Sequence, residues 1–177
     1  AICEGLVGSE MCIRDRVLTG SEITLRRDLS ELAAKAKGSG FKNIRIQTHG
    51  MHLHRKDYTR KLVESGVDEY FISVAGSDRD THDEITQVPG SWDKMIKGME
   101  NLCEYPHVKI LTNTVVTQLS YPLLPGTSAF LSGISNLVQM EFWNYWPMSE
   151  SDDRDLLANY QDVQPHLLEA IRIAHEN

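Results

Sequence analysis

The sequence predicts an α/β fold built on a parallel sheet. Three observations carry that prediction. Short apolar runs with period two alternate with segments of helical period along most of the chain. Glycines stand where helices should stop, at Gly38 and Gly66. The connections between apolar runs are long enough for the crossovers that bring successive strands in parallel, so the sheet is either barrel-like or open.

Taken in order, "VLT" (17–19) is a short apolar run ending at Gly20. In "LRRDLSELAAKAKGSG", Leu25, Leu29, Leu32, Ala33 and Ala36 fall on one helical face. "NIRIQT" alternates, with Ile44 and Ile46 inward as in a strand, and "HGMHLH" follows as a loop. "DYTRKLVESG" reads as a helix and "DEYFISV" as a strand. Thr81 and Glu84 have the spacing of a capping box, Pro89-Gly90 interrupts that helix, and Ser91 is placed to cap the next. In that next helix, Cys103 joins an apolar stripe with Trp92, Met95, Ile96, Met99 and Leu102, which reads as a core thiol. "HVKILTNTVV", long and β-branched, is a strand. Residues 120–137 stay ambiguous because Pro122, Pro125, Gly126 and Gly133 weaken any helix. "LVQMEFW" is a strand again, and Leu167, Leu168, Ile171 and Ala174 stripe a final helix.

The 177 residues suffice for one domain with a sizeable core, and 41% hydrophobic with 24% charged residues is ordinary for a globular protein. A net charge of −7 argues against a sequence-independent nucleic-acid surface. No apolar run approaches the roughly 18 residues of a membrane span. Cys3, Cys12 and Cys103 form neither a metal-type spacing nor a disulfide framework.

Residues 5–16, "GLVGSEMCIRDR", fit no period: Leu6, Val7, Met11 and Ile13 repeat at neither two nor 3.6. Back-translated in one frame, the stretch resembles a transposon adapter used to prepare sequencing libraries. Residues 1–16 are therefore expected to be non-native and are set aside from fold reasoning, leaving 17–177 as one domain.

In parallel α/β folds ligands gather at the carboxyl ends of the strands. Those ends are Gly20-Ser21-Glu22, Gln47-Thr48-His49, Ser73, Asn113 and Asn144-Tyr145-Trp146. One reading of them is a metal-dependent hydrolase using His49, His52 and His54, with His52 and His54 on one face if that segment is extended. A non-catalytic α/β binding module is another. Against the metal site, no second cluster of histidine and carboxylate completes it at the other strand ends.

A third reading is a resemblance that covers nearly all of residues 17–148. "LTGSEITLRRDLSELAAKAKGSGFKNIRIQTHG" resembles the strand, Gly-Gly-Glu-Pro-Thr turn, helix and strand of radical S-adenosylmethionine (SAM) enzymes. "VDEYFISVAGSDRDTHDEITQVPGSWDKMIKGMENL" is similar to that family's fourth strand and following helix. "ILTNTVVT" and "MEFWNYWPM" resemble its fifth and sixth strands. The order and spacing of these stretches make the match specific.

The resemblance implies a partial (β/α)6 barrel of radical SAM type, of which this chain would hold the second to sixth βα units, with the first missing. It implies a cytoplasmic oxidoreductase that cleaves SAM reductively, at a [4Fe–4S] cluster, to a 5′-deoxyadenosyl radical that abstracts hydrogen from an unidentified substrate. Flavodoxin or ferredoxin would supply the electron. Carried over by position, Gly20, Ser21 and Glu22 would receive the SAM ammonium, and Ser73 and Asn113 the ribose and the polar part of SAM. Val115 would pack the adenine, and Asn144 and Tyr145 would lie near adenine or substrate. The sequence departs from the pattern at Ser21 (glycine in the family), Ile23 (proline) and His49 (asparagine). The Cys-x-x-x-Cys-x-x-Cys motif is absent and is expected upstream of Val17. The chain as written is therefore expected to be an inactive fragment that binds neither cofactor, marginally stable because a strand edge is left unpaired.

Overall fold

The computed structural model describes residues 14–147 and 155–176. Five parallel strands form one sheet in the sequential order β1-β2-β3-β4-β5. They are β1 (Asp15–Leu18), β2 (Asn43–Thr48), β3 (Glu69–Ser73), β4 (Lys109–Val116) and β5 (Leu137–Asn144). The helices are α1 (Leu29–Gly38), α2 (Lys56–Glu64), α3 (Arg79–Thr86), α4 (Ser91–Cys103), α5 (Leu124–Ser132) and α6 (Tyr160–Glu176). Short 3₁₀ turns precede three of them, at Ile23–Leu25, Met51–His54 and Tyr121–Leu123.

Alternation along the strands assigns the two faces of the sheet. Ile44, Ile46, Tyr70, Ile72 and Ile110 are fully buried and share one cluster with Leu29 and Ala33 of α1, Leu62 of α2, and Met95, Met99 and Leu102 of α4. A one-residue slip would turn each of these side chains to the other face at about 1.5–3 kcal/mol apiece, so the pattern fixes the register. A second cluster joins Val116 and Leu124 to Val163 and Ala170 of α6. The opposite face presents the intervening residues, among them Arg45, Gln47, Glu69, Phe71, Ser73 and Asn113.

The strand expectations hold throughout, and β1 starts earlier than expected. It includes Asp15 and Arg16, which pair with Asn43 and Ile44, although both lie in the stretch set aside on sequence grounds. A parallel ladder is made of backbone groups and accepts either side chain. Residues 1–13 lie outside the described residues.

Three helix details differ from expectation, and one open stretch is resolved. Leu25 sits in the 3₁₀ turn and is 67% exposed, so the apolar stripe of α1 begins at Leu29. The cap of α3 is Asp78, whose Oδ1 accepts the Thr81 amide hydrogen, so the helix starts ahead of the Thr81–Glu84 pair. α4 is capped from a distance: Asp83 accepts from the amides of Gly90 and Trp92 and from the Ser91 hydroxyl, so Ser91 is not the cap. The ambiguous stretch 120–137 forms α5, with Pro125 in its first turn, where no amide hydrogen is needed.

One close approach shapes the site. In α4, a Cβ on Gly98 would stand 2.7 Å from the Gly50 carbonyl oxygen and 2.8 Å from the Leu53 Cβ, so only glycine lets the helix lie against the Met51–His54 turn. Asn101, one turn on, donates to the carbonyls of Leu53 and His54 at 2.8 and 3.0 Å. Gly50, at φ 76°, makes the left-handed bend that starts the turn.

Candidate functional site

The carboxyl ends of the strands surround a cleft of about 140 Å³ that draws residues from all five. Gly20 and Ser21 line it after β1, Gln47 to His49 at the end of β2, Ser73 on β3, Asn113 on β4 and Trp143 on β5. A cavity of about 270 Å³ adjoins it, sharing His49 and Ser73 and running between Met51, Ala75 and the residues His82, Thr86 and Ser91 of α3 and α4.

Glu22 fastens the first two strand ends together. Its Oε1 accepts from the Thr24 amide and from the hydroxyls of Thr24 and Thr48, and its Oε2 accepts from the His49 amide at 2.8 Å. Burial works to raise its pKa, but the hydrogen bonds from Thr24, His49 and Thr48 together outweigh it, and the carboxyl is held below its ordinary range. Glu22 thus stands behind the cleft wall as an ionised anchor whose oxygens are already engaged.

On the next two strands Ser73 and Asn113 are registered partners, and the Ser73 hydroxyl donates to Asn113 Oδ1 at 3.0 Å. The two Nδ2 hydrogens of Asn113 have no partner among the described residues. A hydroxyl and a free amide donor side by side suit a ligand carrying hydroxyl or ring oxygens. Val115, two residues on, shares the face of Asn113 and pairs with Trp143.

His82 is 3% exposed, and its Nδ1 accepts the Ala75 amide hydrogen at 3.1 Å. Burial lowers its pKa to about 4 against the opposing pull of Asp83, so the ring is neutral at pH 7 with its hydrogen on Nε2.

The structure does not assemble the three-histidine reading. Residues 51–54 form a 3₁₀ turn, not a strand, and each imidazole is tied elsewhere. His49 Nδ1 faces Glu22 at 3.4 Å, His54 Nδ1 donates to the Met51 carbonyl, and His52 Nδ1 pairs with the Thr24 hydroxyl at 3.0 Å. Since Thr24 gives its own hydrogen to Glu22, His52 is the donor in that pair. Among the described residues no group of three His, Cys, Asp or Glu side chains is placed to hold a metal ion.

Of the residues singled out from sequence, Gly20, Ser21, Ser73 and Asn113 meet in the cleft, Glu22 anchors its wall, and Val115 lies on the same sheet face. Asn144 and Tyr145 do not join them. They line a separate cavity of about 240 Å³ with Val116, Leu157 and Val163, toward α6. Sequence reasoning missed Phe71, Trp143 and His82. Phe71 was within reach of period-two counting, since it shares a sheet face with Ser73, whereas Trp143 was not, because the pairing Asn113↔Glu141 is what puts it on the cleft face of β5.

The "Radical SAM superfamily" profile matches residues 8–119, more than half of the chain and starting inside the stretch set aside above. A protein of Saccharolobus solfataricus named probable GTP 3',8-cyclase is 37% identical over 101 residues, which is 57% of this chain and 32% of that protein. A Methanopyrus kandleri protein of the same name is 30% identical over 129 residues, 73% of this chain and 41% of its own length. The chain thus spans about a third to two-fifths of the length of these curated relatives. Among solved structures, native anSMEcpe with bound AdoMet superposes with a TM-score of 0.70 at 18% identity, over 92% of this chain and 46% of that one. Streptococcus suis SuiB bound to S-adenosylmethionine gives 0.70 at 19% identity, over 89% and 36%. These superpositions match the fold of the five-stranded sheet.

Proposed function

The chain belongs to the radical SAM superfamily, and from that premise we propose that the cleft is the SAM-binding face of an enzyme that cleaves SAM reductively and abstracts hydrogen from a substrate. The observation that supports this most is the Ser73–Asn113 rung, whose free amide hydrogens lie in the same cleft as the Gly20-Ser21 turn. In this reading the turn and the neighbouring Glu22 carboxylate favour the SAM ammonium. Ser73 and Asn113 hold the ribose hydroxyls, and Val115 packs beside the base. The cleft and its adjoining cavity together reach the size of small-molecule sites, roughly 300–1,000 Å³. With one electron delivered from a reduced iron–sulfur cluster, SAM bound there would supply methionine and a 5′-deoxyadenosyl radical by cleavage of its sulfonium. The protein's part is to fix the ribose and keep the strand ends rigid.

The described residues do not fit an iron–sulfur cluster. Cys103 is their one cysteine, half-buried at the end of α4, and β4 begins only at Lys109, so it lies at the opposite end of the sheet from the cleft. No cluster-ligating role falls to any described residue.

Titration of the chain with SAM in a calorimeter tests the reading. Against the sequence expectation that the chain binds neither cofactor, the cleft with its Ser73–Asn113 rung is expected to bind SAM, with Asn113→Ala and Ser73→Ala each weakening binding about threefold to tenfold, the worth of one hydrogen bond. No binding by the wild type, or binding by both variants as tight as that of the wild type, overturns it.

A further inference from the structure

The cavity beside the cleft has a chemistry of its own. Its apolar wall is made by Met51 from the turn after β2, Ala75 from the segment after β3 and Val88 from the α3–α4 connection. In that connection Gln87 holds φ 57°, the one non-glycine residue with positive φ among the described residues, and Asp83 fastens the far end at Gly90 and Trp92. The hydroxyls that reach the cavity are engaged: Ser73 donates to Asn113 Oδ1, Thr86 to the His82 carbonyl and Ser91 to Asp83 Oδ1. His82 differs. Its Nδ1 is taken by the Ala75 amide and Trp92 braces the ring at 5.5 Å between centroids, but the Nε2 hydrogen has no acceptor among the described residues. A buried donor without an acceptor is destabilising, and a ligand that supplies one relieves it.

The charges around the cavity select the acceptor. Glu22 stands against His49 and Asp83 against Ser91, and among the described residues no lysine or arginine pairs with a residue of the wall. A carboxylate there would meet carboxylates, whereas a carbonyl oxygen accepts one N–H without bringing charge. We propose that this cavity of about 270 Å³ binds a small neutral carbonyl compound (an amide, ketone or ester), whose apolar body lies against Met51, Ala75 and Val88 and whose oxygen accepts from His82 Nε2. Whatever the cleft itself holds, a ligand here meets it at His49 and Ser73, which line both.

The test compares cyclopentanecarboxamide, cyclopentanecarboxylate and cyclopentylmethylamine, which share one ring and differ in charge. Each is titrated into the isotopically labelled chain while the amide signal of residue 75, hydrogen-bonded to His82, is followed by NMR. The carboxamide should move that signal with a Kd on the order of 1 mM, and the carboxylate and the amine should bind at least about tenfold more weakly. His82→Asn, whose oxygen can still serve the Ala75 amide but whose nitrogen falls short of the Nε2 position, should bind the carboxamide about threefold to tenfold more weakly. Ala75→Leu, which fills the cavity, should not bind it. If the carboxylate binds the wild type as tightly as the carboxamide does, the neutral-carbonyl assignment is overturned, and this comparison needs no variant to fold. If folded Ala75→Leu binds the carboxamide like the wild type, the cavity is not the site. If His82→Asn does so, His82 is not the donor. If the wild type binds none of the probes, the proposal falls. SAM is absent from these titrations, so no outcome bears on the reading of the cleft.

Discussion

Thr48, the last residue of β2, donates its hydroxyl hydrogen to Glu22 Oε1 at 2.7 Å and accepts the Gly50 amide hydrogen at 3.0 Å. One threonine therefore links the turn after β1 to the bend after β2, and the carboxylate at its centre must be ionised to accept four hydrogens at once.

The stability of this junction should depend on pH. The Glu22 pKa is lowered from its ordinary 4.5 in the folded chain, so its contribution is complete above about pH 4.5 and is lost as pH falls through the folded value. Glu22→Gln should cost about 1–3 kcal/mol in urea unfolding at pH 7, and the gap to wild type should narrow below pH 4.5.

His82 gives a second, separable pH dependence. Its pKa falls from 6.5 to about 4 on folding, so the unfolded chain binds more protons between those values. Stability should therefore drop as pH falls through that window and be unaffected above it, by about 3 kcal/mol in all. His82→Gln, which keeps an acceptor for the Ala75 amide, should remove that part of the slope in a series of urea melts.

Gly98→Ala should destabilise the protein although alanine is the better helix former by about 1 kcal/mol. The added methyl meets the Gly50 carbonyl and Leu53, and overpacking of this kind costs roughly 1–3 kcal/mol. A lowered Tm would show it, and an unchanged or raised Tm would mean that the Met51–His54 turn yields.

Zinc provides a check on the histidine turn. Because His49, His52 and His54 are tied to Glu22, Thr24 and Met51 respectively, the double variant His52→Ala/His54→Ala should bind zinc no more weakly than the wild type. A zinc affinity that drops in the double variant would revive a metal site there.

The sequence by itself determined the elements that depend on near neighbours. Ile44 and Ile46 are inward because a strand alternates, and Met95, Met99 and Leu102 are inward because a helix repeats every 3.6 residues. Both patterns are read within a few positions, and burial of each such side chain is strong enough to enforce them. The same locality made Ser73 and Asn113 legible as strand-end residues. Tertiary structure decided what depends on distant partners. Asp83 caps α4 from α3 in place of Ser91, because the free amides at a helix start donate to any carboxylate the chain delivers. Glu22 became an anchor because β1 and β2 are adjacent and Thr48 faces it. Trp143, not Asn144, turned into the cleft, because the register of β5 against β4 sets which residues of β5 share the face of Asn113. That register shifts between Ile110 and Leu111, which pair with Leu137 and Gln139, so counting along β5 alone does not give it.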